Sequence, residues 1–80
     1  MTNYPKSDKD ATQARHKALT GMRITDIRAC MNKAGVRIPA SRQRIMMWAH
    51  QQRLHDPHFS KGQREKSKAW LERRGFDTGL

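Results

Sequence analysis

Gly35, Pro39, Pro57 and Gly75 cut this chain into short segments, and the spacing of apolar residues within each segment is helical. No stretch alternates β-branched or aromatic residues long enough to make a strand. There is no internal repeat and no low-complexity tract. These features predict an all-α fold of three main short helices, at about residues 26–34, 42–54 and 61–74.

The local signals agree with those bounds. Thr25 reads as an N-cap, followed by Asp26 and by Ile27, Cys30, Met31 and Ala34 at helical spacing. Gly35 supplies a left-handed stop, which places Val36 against Met31 in a Schellman turn. Pro39 keeps Ile38 out of helical dihedrals, so Val36 to Ala40 reads as an extended connector with Ile38 plugged into the core. Ser41 caps the second helix, in which Ile45, Trp48, Ala49 and Gln52 share one face and Met47 and Leu54 lie nearly opposite. That helix should therefore touch two neighbours. Ser60 and Gln63 form a capping box for the last helix, which Gly75 ends with Phe76 against Leu71. Trp70 and Leu71 are its anchors, directed at Met47 and Leu54.

Residues 1–21 offer little apolar area: Ala11, Ala14, Ala18 and Leu19 after Tyr4. Ser7, Asp8 and Asp10 suit a helix start and Gly21 a helix end. Either a frayed helix or a flexible basic arm is expected here, preceding a single small domain at 22–80.

Charge narrows the function. Seventeen Lys+Arg against seven Asp+Glu give +10 in 80 residues, a self-repulsion that an anionic partner would relieve. No apolar run approaches the roughly 20 residues needed to span a bilayer, so no membrane role is expected. The start has no signal-peptide pattern, and the lone Cys30 fits a reducing compartment. The expected location is the cytoplasm, in association with the nucleoid, or the nucleus of a eukaryotic host.

The chain lacks a Gly-rich phosphate loop, a nucleophile elbow and a metal-ligand set, so neither enzymatic activity nor a cofactor is expected. His50, His55 and His58 with Cys30 suggest zinc only superficially: His50 and His55 are five apart, and no Cys-x2-Cys half accompanies them. They read as surface histidines. Trp48 and Trp70 could stack on bases, but both lie on apolar faces, which favours packing.

The candidate site is the connector and the start of the 42–54 helix. Free backbone N–H groups and the positive dipole end meet Arg37, Ser41, Arg42 and Arg44 there, a combination suited to phosphate. With the last two helices side by side, Arg53, Lys61 and Arg64 would extend it as a stripe. Lys66, Lys68, Arg73 and Arg74 add further positive charge to the last helix.

Met22, Ile24, Ile27 and Met31, then the pair Gly35-Val36, then Arg42 and the pair Ile45-Met46 fall in a recognisable order. With this spacing, residues 22–48 resemble the SAP family of small DNA-binding modules and the wider helix–extended loop–helix group. The resemblance implies a two-helix frame that grips DNA at the basic position, Arg42. Ala40 stands where that family usually has glycine.

The functional expectation is a non-catalytic nucleic-acid-binding module, with DNA preferred and RNA as the alternative ligand. Two other readings compete. One is a basic interaction or inhibitor protein that docks on an acidic protein surface through Met47 or Trp70. The other is a helix-turn-helix regulator in which Arg42, Gln43 and Arg44 read bases, although the connector is long for that motif. The oligomeric state is left open; a dimer through Met47 and Leu54 requires that the last helix leave them uncovered.

Overall fold

In the computed structural model, the backbone is described for residues 4–80 and the side chains from residue 11 onward. The capping roles expected of Ser7, Asp8 and Asp10 lie outside the described side chains. Four α-helices form among the described residues, with no strand: α1 (Tyr4–Gly21), α2 (Ile24–Lys33), α3 (Arg42–Leu54) and α4 (Lys61–Arg73). None of them is long and apolar enough to cross a membrane.

The N-terminal segment is helical, and its last turns belong to the core. Ala18 and Leu19 are completely buried beside Ile27, Cys30, Met31, Ile45, Ala49 and Phe59. Two side chains suffice because α1 lies across both α2 and α3. Gly21 does not supply the left-handed residue that stops α1. Met22 does, with φ of 54° and its N–H on the Ala18 carbonyl at 2.8 Å. That conformation costs a non-glycine residue about 1 kcal/mol, and the packing of Met22 against the core offsets it.

Helix α2 begins two residues earlier than a Thr25 cap would place it. Its N-cap is Arg23, which makes no side-chain capping bond, and Thr25 lies inside the helix. The other end follows the expected pattern. Gly35 has φ of 72°, and the Val36 and Gly35 N–H groups bond to the Met31 and Asn32 carbonyls. Val36 and Ile38 then pack on the core, and no helix resumes until Arg42. The same motif closes α4, where Gly75 is left-handed and the Phe76 N–H reaches the Leu71 carbonyl at 2.9 Å.

Helix α3 is the centre of the molecule and touches the other three helices, α4 most extensively. Its stripe of Ile45, Ala49 and Arg53 is buried, as is His50 beside it. Helix α4 carries the Ser60–Gln63 capping box and runs back along α3, so that His50 faces Trp70 and both His50 and Arg53 reach Ser67. Met47 and Leu54 are half-buried.

Candidate nucleic-acid interface

The connector and first turn of α3 form an exposed, positively charged corner. Ser41 has extended dihedrals, φ −85° and ψ 130°, and its Oγ accepts the Arg44 N–H at 3.3 Å. The N–H groups of Arg42 and Gln43 have no hydrogen-bond partner among the described residues. No acidic residue stands in this first turn to neutralise the helix dipole. Arg37, Ser41, Arg42 and Arg44 are all exposed. Arg42 and Arg44 leave the helix end about 200° apart in rotation, so their guanidinium groups flank it on two sides.

A longer pattern surrounds this corner. Residues 27–55 contain no Asp or Glu and six Lys or Arg. Five of the six, Arg28, Lys33, Arg37, Arg42 and Arg44, are exposed and form no ion pair among the described residues. The described acidic side chains lie elsewhere: Asp26 near Lys17, Asp56 on Arg15 and His58, and Glu65, Glu72 and Asp77 on or beyond α4. The acid-free run was a signal in the sequence itself, sharper than a search for individual arginines.

Arg53 is a correction to the expected stripe. It is only 7% exposed, because Ile45, Ala49 and Arg53 recur every four residues and so share the buried line of α3. Its Nε–H donates to Ser67 Oγ at 2.8 Å and Nη1 donates to the Leu19 carbonyl at 3.1 Å. The guanidinium thus ties the end of α1 to the middle of α4. Its charge is held inside the fold, away from any phosphate. Arg64 is half-buried with its Nε–H on the Phe59 carbonyl at 3.1 Å, while Lys61 is exposed at the first turn of α4. Arg37, Ser41, Arg42 and Arg44 are thus all exposed on the connector and the start of α3, and Arg53 is not.

Comparison with protein families, curated proteins and solved structures finds no match to this chain.

The remaining chemistry-bearing side chains are structural or dispersed. His50 is buried, not at the surface, and its Nδ1 lies 3.0 Å from Ser67 Oγ. Burial, with Arg53 and Arg74 nearby, lowers its pKa to about 4, so the ring that shares this hydrogen bond with Ser67 is neutral. Trp70 stacks on His50 with ring centroids 4.3 Å apart and carries the Arg74 guanidinium at 4.2 Å, so its ring is already covered by protein. Burial pushes the Cys30 thiol up, against a smaller opposing pull from Arg15, which disfavours the reactive thiolate. No group of three His, Cys, Asp or Glu able to hold a metal exists among the described residues. His55 bonds to the Thr78 carbonyl and His58 to Asp56, well apart from buried Cys30.

Proposed function

We propose that this chain is a non-catalytic nucleic-acid-binding module that holds the phosphate backbone, DNA in preference to RNA, with its 36–41 connector and the start of α3. The observation that carries the reading is the acid-free run 27–55, whose five exposed cations are without ion-pair partners and whose centre is an uncovered helix start. Free backbone N–H groups, a hydroxyl and flanking guanidinium groups are a donor set that phosphate oxygens accept. Helix α4 is a weaker candidate: Glu65 and Glu72 interrupt its positive charge, and Arg64 and Arg74 are engaged by Phe59 and Trp70. The resemblance of residues 22–48 to SAP modules favours DNA. Contacts of this kind fix position without reading bases, so the binding is expected to tolerate sequence.

The test is a fluorescence-anisotropy titration of the full chain with duplex DNA, single-stranded DNA and duplex RNA at several salt concentrations. The proposal expects binding that weakens steeply and linearly on a log–log plot as salt rises, with DNA preferred. Failure to bind any of the three at low salt would exclude it, and the +10 charge would then have to serve an acidic protein.

A further inference from the structure

A groove at the other end of α3 from the arginine corner is lined by Arg15, His16 and Lys17 of α1 and by Pro57, His58 and Phe59 of the α3–α4 connector. Its volume is about 930 Å³, within the range of small-molecule sites. Helix α3 has 13 residues, which puts the groove and the corner roughly 20 Å apart along its axis.

Three observations define what would fit. His16 stacks on Phe59 with centroids 5.6 Å apart and planes inclined by 18°. Phe59 is 4% exposed and His16 is exposed, so this ring stack runs from the core to the lining of the groove. Asp56 is the one carboxylate among the lining residues, and it is saturated: Oδ2 accepts from Arg15, and Oδ1 accepts from the His58 backbone N–H and lies 3.1 Å from His58 Nδ1. Lys17 projects its amine into solvent, 75% exposed and at a loose 3.8 Å from Asp26. The groove thus offers a ring pair beside the Lys17 amine, and its one lining carboxylate is occupied by Arg15 and His58. A nucleotide joins a planar ring and a phosphate in one unit; an acidic peptide has to bring the two on separate side chains.

We propose that this groove receives one unpaired base of a bound nucleic-acid strand, the base continuing the Phe59–His16 stack and its phosphate meeting Lys17. The inference rests on the nucleic-acid reading above and adds a preference for strands with an extruded or terminal unpaired nucleotide.

It is tested by titrating the full chain with a blunt DNA duplex, the same duplex carrying one extrahelical adenine, and adenosine monophosphate. The wild type should bind the adenine-bearing duplex roughly 10-fold or more tighter than the blunt one, the scale of a single base–ring stack. His16→Ala should abolish that preference and His16→Phe should retain it, with Lys17→Glu weakening it, while circular dichroism shows all three folded. Equal binding of the two duplexes, or a preference that survives His16→Ala, overturns the groove and leaves the phosphate-binding proposal intact. Tight binding of adenosine monophosphate without any discrimination between duplexes overturns it as well, by making the groove a free-nucleotide site. Absence of binding to either duplex removes both readings together.

Discussion

At the scale of single residues, two arginines of the same helix are assigned opposite work. Arg53 is buried and spends its donors on Ser67 and Leu19, whereas Arg42 is exposed at the helix start. Arg53→Met keeps much of the packing volume but leaves the Leu19 carbonyl and Ser67 hydroxyl short of a partner, at a cost of about 2–4 kcal/mol in chemical denaturation. Arg42→Ala should change stability by no more than about 0.5 kcal/mol. The same buried network sets the pH dependence. His50 has its pKa lowered from 6.5 to about 4 by burial and by Arg53 and Arg74. The unfolded chain therefore takes up a proton that the folded chain refuses. Stability is complete above pH 6.5 and falls between pH 6.5 and 4, by on the order of 3 kcal/mol if His50 acts alone. Thermal unfolding across that window should show the decline, and His50→Phe should flatten it. None of this was apparent from histidine or arginine counts. The four-residue recurrence of Ile45, Ala49 and Arg53 did carry the burial of Arg53, but its charge argued for the surface.

Helix ends were the most legible elements. Ser41, the Ser60–Gln63 box, Gly35-Val36 and Gly75-Phe76 each made the local bonds that their side chains or missing Cβ dictate. Such signals act within one turn, so they can be read without knowing the fold. Gly35 has open space around a notional Cβ, so Gly35→Ala should cost only the left-handed conformation, about 1 kcal/mol by denaturation. The start of α2 and the status of α1 were less legible for one reason: both depend on distant partners. Thr25 is a good cap locally, yet Ile24 packs on the core and draws the helix start forward. Helix α1 has few apolar residues, and its place is decided by neighbours on α2 and α3 that the local pattern does not show. Leu19, fully buried, is the check: Leu19→Ala should lose about 2–5 kcal/mol and reveal α1 as part of the cooperative unit. A flexible arm would lose almost nothing.

Over the whole molecule, the fold sorts charge by place. The described acidic side chains lie at the α1 contacts, on α4 and beyond it, while residues 27–55 carry only positive charge. The candidate corner was legible because its residues are close in sequence and its cap is local. The groove between α1 and the α3–α4 connector was not, since His16 and Phe59 are 43 positions apart and only the packing of α1 brings their rings together. The most direct test of the central claim is the salt dependence of duplex DNA binding for the wild type, for an Arg37→Ala, Arg42→Ala, Arg44→Ala variant, and for a Lys66→Ala, Lys68→Ala control on α4. Each phosphate contact contributes about 0.9 to the log–log slope. Phosphate binding at the connector and α3 start predicts that the triple variant loses roughly 2–3 from the slope and the α4 control keeps nearly all of it. A triple variant with the wild-type slope, or a control that loses as much, would contradict this placement of the site.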